Sequence, residues 1–140
     1  KLMNMRIVCC ASPQYLKTHG KPHEPGVLAT HNCLLQTVTD NSDHWEFKGP
    51  KGPFTVSVSG NFYANSPLAL AHMAANGLGI GRVPLYTAQP FLEDGRLQLI
   101  FEKEETKGIG LYAVYPPSRH LTARIRALID HLCLTPAPIG

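Results

Sequence analysis

Apolar residues fall along this chain in short runs and in alternation, with helical spacing clearest near the end. Met5 to Cys10 is apolar except for Arg6, the pattern of a strand buried on both faces. Ser12 follows as a helix cap, with Pro13 in the first helical position, Tyr15 and Leu16 on the apolar side and Gly20 as the stop. A strand leading directly into a capped helix predicts an α/β fold. Lys21 to Gly26, with its prolines and glycine, reads as a loop.

Cys33 to Val38 is the next strand, and Asp40 to Asp43 a turn. Trp45 and Phe47, then Phe54, Val56 and Val58, alternate with polar neighbours, which predicts a hairpin with one buried face. Its Gly/Pro-rich turn, Gly49 to Pro53, is expected to project into solvent. Pro67 to Asn76 is predicted as a helix capped by Asn65 or Ser66. Only His72 and Asn76 are polar in it, so it is expected to be mostly buried. Gly77 stops it. Leu78 to Pro84 reads as an inner strand, Tyr86 to Leu92 as a short helix broken at Pro90, and Arg96 to Phe101 as a strand. Lys103 to Lys107 is charged and expected to be exposed. Leu111 to Tyr115 reads as a second buried strand. His120 to Leu134 reads as an amphipathic helix, with Leu121, Ile125, Leu128, Ile129 and Leu132 on one face. The tail from Thr135 is expected to fray.

Composition narrows the class. Of 140 residues, 44% are hydrophobic and 16% charged, which describes one globular domain with a real core. The net charge of +3 is dispersed and leaves no basic footprint for nucleic acid. No apolar stretch approaches the roughly 20 residues of a membrane span. Lys1 to Met5 holds no signal-peptide core and already reads as strand, so the chain is expected to begin inside a domain. Cys9, Cys10, Cys33 and Cys133 form no Cys-x-x-Cys pair, and adjacent strand cysteines face opposite ways. Reduced, mostly buried thiols in a cytoplasmic protein are expected.

Candidate chemistry is thin. Gly77, Gly79 and Gly81 follow a helix and open a strand, the reverse of a phosphate-binding loop, so tight packing explains them better. His31, Cys33 and the Cys9–Cys10 pair lack the ligand spacing of a zinc site and a visible nucleophile–base partnership. No Gly-x-Ser-x-Gly elbow is present, and the sparse carboxylates lie mainly in turns. Neither catalysis, metal nor cofactor is expected. Two features remain. Ser12, and Asn65 with Ser66, each sit where a strand runs into a helix start. Such junctions bind anions in α/β domains, and simple capping is the competing account.

Several segments together resemble the effector domain of LysR-type transcription regulators. Ala11 to Leu16 with Gly20-Lys21-Pro22 looks like the segment after the family's first interdomain crossover. His31 to Leu34, Trp45-Glu46-Phe47 and Gly60-Asn61-Phe62 resemble the strand and hairpin that follow. Asn65-Ser66 through Gly77 to Gly81 and Pro84 resembles the central helix–strand unit. Gly95-Arg96-Leu97, Leu111 to Pro116 and Arg119-His120-Leu121 complete the order. The resemblance spans nearly the whole chain. It implies a periplasmic-binding-protein-like (type 2) fold of two α/β halves joined by two crossover strands, here Met5 to Cys10 and Leu111 to Tyr115. Residues 1–11 would end the first half, 12–110 form the second, and 111–140 return to the first. It implies a small-molecule effector between the halves, often anionic, touching Asn65 and Ser66, with Gln36 and Thr37 and with Ser12 near the crossover. It further implies a homo-oligomer that binds DNA only through an N-terminal helix-turn-helix, a region not among these residues. A solute-binding protein for transport shares the fold and is the alternative, disfavoured by the lack of an export signal.

Overall fold

The computed structural model describes residues 1–38, 40–115 and 122–134. Its centre is a five-stranded sheet. The strands are β2 (Ile7–Ala11), β3 (Cys33–Gln36), β6 (Phe62–Ala64), β7 (Ile80–Pro84) and β8 (Gln98–Ile100), in the order β6-β3-β7-β2-β8. β6, β3 and β7 run parallel, and β2 is antiparallel to both of its neighbours.

Period-2 alternation sends side chains to two cores. Cys9, Ala11, Cys33, Leu35 and Ile80 face one side. There they meet Tyr15 and Leu16 of α1 (Pro13–His19), Leu28 of a 3-10 turn (Pro25–Thr30), and Trp45 and Phe47. Val8, Cys10, Leu34 and Val83 face the other side, against Leu70 and Ala74 of α2 (Pro67–Ala75) and Ala88 and Phe91 of α3 (Leu85–Glu93). Trp45 and Phe47 belong to a separate hairpin, β4 (His44–Gly49) with β5 (Gly52–Ser57). The α/β fold and the buried strand from Val8 onward follow the expectation.

The cap at Ser12 is present, its hydroxyl accepting from Tyr15 N at 3.0 Å. Ser66 rather than Asn65 caps α2, accepting from Ala69 N at 3.4 Å. Glycine is required at two strand entries. A Cβ at Gly60 would run into the carbonyl oxygen of Cys33, and one at Gly79 into that of Asn32.

Several expectations are corrected. The strand expected over Met5–Cys10 is two strands interrupted at Arg6, since β1 (Met3–Met5) leaves the large sheet to pair with β9 (Ile109–Leu111). Among the described residues, the strand expected over Leu111–Tyr115 ends at Leu111. It is not buried, because β9 has only β1 beside it, and Val114 is 94% exposed. The hairpin turn is Pro50-Lys51 alone, the strands having extended through its flanking glycines. α2 buries only Leu70, Ala71 and Ala74, one side of the helix, while Leu68 is exposed. α3 passes through Pro90 unbroken. An interior proline costs about 3 kcal/mol. Burying Leu85 and Phe91, at roughly 1.5–3 kcal/mol each, offsets it. Glu105, in the segment expected to be exposed, is mostly covered and holds Arg6 through two 3.0 Å bonds.

α4 (Ala123–Leu134) matches the expected final helix, although its start at His120 and Leu121 lies outside the described residues, as does the tail from Thr135. None of its residues is buried.

Candidate ligand-binding site

Three parallel strands ending together bring separate parts of the chain to one edge. β3 ends at Gln36, β6 at Ala64 and β7 at Pro84. The antiparallel β2 begins at that same edge, with Ile7 opposite Pro84. The β1–β9 pair therefore stands beside it. Because α2 follows β6 and α3 follows β7, both helix N-termini also open there. Their dipoles favour negative charge at this edge, although Leu85 N–H already donates to Arg6 O and Ala69 N–H to the Ser66 hydroxyl.

A cleft of about 580 Å³ lies at this edge. Its apolar wall includes Ile7, Leu34, Pro67 and Pro84, and Trp45 and Tyr86 add aromatic surface. Gln36, His44, Glu46 and Arg82 supply polar groups. The Arg82 guanidinium donates to the Glu46 carbonyl at 3.1 Å and lies 5.8 Å from the Phe47 ring centroid. His44 Nδ1 is 2.8 Å from Asp43 Oδ1, and that bond holds the Asp43 carboxyl below its ordinary range.

The expected site residues divide by edge. Gln36 lines the cleft. Thr37 is next to it and donates its N–H to the Ala64 carbonyl at 3.0 Å, which joins the ends of β3 and β6. Asn65 and Ser66 lie between β6 and Pro67, at the rim but not among the lining residues. Ser12 does not line the cleft. β2 runs antiparallel to β7, so Ser12, after its last residue, lies at the opposite edge. Ser12 is 3% exposed and its hydroxyl is engaged in capping.

His44, Trp45, Arg82 and Tyr86 were not singled out from sequence. Arg82 carried a usable signal, a lone charge in the otherwise apolar strand Leu78–Pro84. The others are joined to the cleft only by the hairpin's placement and by the turn from β7 into α3.

The opposite edge is tied by a polar knot. Asn32 donates from Nδ2 to Leu78 O at 2.8 Å and to Asn61 Oδ1 at 2.9 Å, and its Oδ1 accepts from Asn61 N at 3.0 Å. Its own N–H donates to the Tyr15 hydroxyl, which lies 2.9 Å from His31 Nδ1. Burial raises the Tyr15 hydroxyl and lowers His31, the latter helped by nearby His19.

Cys9, Cys10 and Cys33 are buried free thiols. Burial pushes Cys10 and Cys33 up to about 12, and Cys9 higher still despite the Arg82 charge. These groups stay protonated and are poor nucleophiles at neutral pH. Cys133 is exposed. Among the described residues no three His, Cys, Asp or Glu side chains gather as a metal-holding group. No helix among them is long and apolar enough to cross a membrane.

Comparison with known proteins places this architecture. The family described as the LysR substrate binding domain matches residues 1–133. A probable HTH-type transcriptional regulator, LtrA of Klebsiella pneumoniae, is 34% identical over 96% of this chain and 44% of its own length. The HTH-type transcriptional activator AaeR of Escherichia coli is 28% identical over 94% of the chain and 43% of its own. The chain thus spans less than half the length of these relatives. The full-length structure of AphB, a Vibrio cholerae virulence activator, superposes with a TM-score of 0.79 at 26% identity, covering 95% of this chain and 46% of that one. CrgA, a LysR-type transcriptional regulator from Neisseria meningitidis, does so with a TM-score of 0.66 at 27% identity, covering 75% and 35%. The transport alternative finds no support among these relatives.

Proposed function

The chain belongs to the LysR substrate-binding-domain family, and from that premise we propose that it is the effector-sensing part of a bacterial transcription regulator. A small molecule would bind in the cleft at the C-terminal edge of β3, β6 and β7. Its binding would be transmitted through the β1–β9 pair. The observation that carries this reading is the meeting of that cleft with β1 and β9, since Met5 and Ile109 line it alongside Gln36 and Arg82. A ligand there touches both the sheet and its connection, so occupancy can bias their relative arrangement. In α/β sheets, ligands characteristically sit outside the carboxyl ends of the strands.

In this reading Gln36, with Thr37, Asn65 and Ser66 at the rim, contacts the effector. Ser12 serves the fold instead. The protein acts by binding and has no turnover, in the cytoplasm, as a homo-oligomer. DNA contact falls to a helix-turn-helix outside these residues. The test uses the intact protein, a metabolite panel and calorimetry. A panel member that binds should lose roughly tenfold or more in affinity in Gln36→Ala, in line with loss of a buried polar contact. A Gln36→Ala protein that binds its ligand unchanged would place the site elsewhere.

A further inference from the structure

We infer that Arg82 is the anchor for an anionic group, a carboxylate or phosphate, on the molecule that occupies the cleft. The inference rests on the cleft being the binding site and adds which residue sets the charge of the ligand.

Arg82 is half-buried on an inner strand, between β2 and β3. Guanidinium groups in such places normally carry a partner charge, because desolvating a cation without one is costly. Among the described residues, no carboxylate oxygen lies within ion-pair distance of it. The nearby Glu105 is held on both its oxygens by Arg6. Among the described residues, the hydrogen bond Arg82 makes is one N–H donated to a neutral carbonyl, that of Glu46. A guanidinium has five donors, so most of its fork is left for another acceptor.

The fork is also positioned. The Glu46 carbonyl fixes one nitrogen, and the Phe47 ring lies beside the group. Holding it this way reduces the ordering cost when an oxyanion docks. The surroundings reinforce the sign. Pro67 and Tyr86 stand in the first turns of α2 and α3, and both line the cleft with Arg82. Two helix N-termini therefore face the same space, and each favours negative charge. The carboxylates in the lining, Asp40 and Glu46, are both exposed to solvent, where screening weakens their opposition. A planar, two-oxygen anion matches the free side of the fork.

The test is calorimetry on the intact protein at low salt. The probes are benzoate, succinate and inorganic phosphate, with benzamide and succinamide as neutral counterparts. At least one anion is expected to bind, roughly tenfold or more tighter than its amide. Arg82→Gln should weaken that anion by about tenfold or more, and Arg82→Lys by less. The two organic acids and phosphate separate carboxylate from phosphate recognition. A second readout avoids reliance on a variant that fails to fold. In the wild-type protein, the Arg82 Nε–H resonance, assigned by its loss in Arg82→Lys, should shift on adding the anion and stay in place on adding the amide. Anion affinity within about twofold of wild type in a folded Arg82→Gln, or an Arg82 resonance indifferent to the bound anion, would overturn the inference. So would binding of neutral probes alone. If such binding still responded to Gln36→Ala, the cleft would stand as the site and only the anchor would fall. Binding by no probe at all would count against the anchor as well.

Discussion

His31 illustrates how one side chain reads its surroundings. The Tyr15 hydroxyl accepts the Asn32 N–H and lies 2.9 Å from His31 Nδ1. Desolvation first, and His19 second, hold the proton affinity of His31 below the ordinary histidine value. The sign follows. Above about pH 6.5 the ring is neutral in both folded and unfolded chains. As pH falls through that value the unfolded chain takes up the proton while the folded one resists, so stability declines. Melting temperature is expected to drop between pH 7 and 5, more steeply in the wild type than in His31→Gln, which keeps a hydrogen-bonding group without the titration. Parallel curves for the two proteins would mean that His31 does not couple to folding. The Asn32 knot beside it was not legible in the sequence. Asn32, Asn61 and Leu78 are far apart along the chain, and only strand order brings them together.

The helix starts show why similar local patterns can serve different purposes. Ser12 and Ser66 each follow a strand, precede a proline and cap a helix. From local sequence both are site candidates with capping as the competing account, the junction at Asn65 and Ser66 being the more favoured. Strand direction separates them, since β2 is antiparallel to its neighbours whereas β6 is parallel to β3. The same strand-to-helix junction therefore opens at opposite edges of one sheet. Ser12→Ala is expected to cost about 1 kcal/mol through the lost cap while leaving ligand affinity unchanged. Denaturant titration would measure the first and calorimetry the second. A variant of normal stability with weakened ligand binding would restore Ser12 to the site. α3 is a related case. Pro90 argued locally for a break, and the burial of Leu85, Ala88 and Phe91 overrode it.

On the scale of the whole molecule, the sheet and hairpin bury their apolar surface well and α4 does not. Leu128 is 57% and Leu134 80% exposed, and no residue of the helix is buried. Ile109, Leu111, Tyr112 and Val114 add exposed apolar surface. Burying a large aliphatic side chain is worth roughly 1.5–3 kcal/mol, so several on one helix favour association. These 140 residues, prepared alone, are expected to associate as concentration rises, and Leu128→Glu should reduce it. Light scattering over a dilution series checks both. A strictly monomeric species at every concentration would show that these side chains find cover within the chain.

By itself the sequence determined most element types and centres, the Ser12 cap and the α/β class, because propensity, capping and hydrophobic period are local. The family likeness was legible for a related reason, as its motifs mark turns and strand entries such as Gly60 and Gly79, where a Cβ would strike a neighbouring carbonyl. Tertiary structure alone decided which strand ends share an edge. It separated Ser12 from Gln36 and split the first strand at Arg6 so that β1 could pair with β9. It also brought Arg82, Trp45 and Tyr86 to one cleft. The physical reason is strand pairing. A strand's sequence specifies which of its side chains are buried, while its direction and neighbours depend on backbone hydrogen bonds to segments far away in the chain, and those bonds are nearly indifferent to side-chain identity.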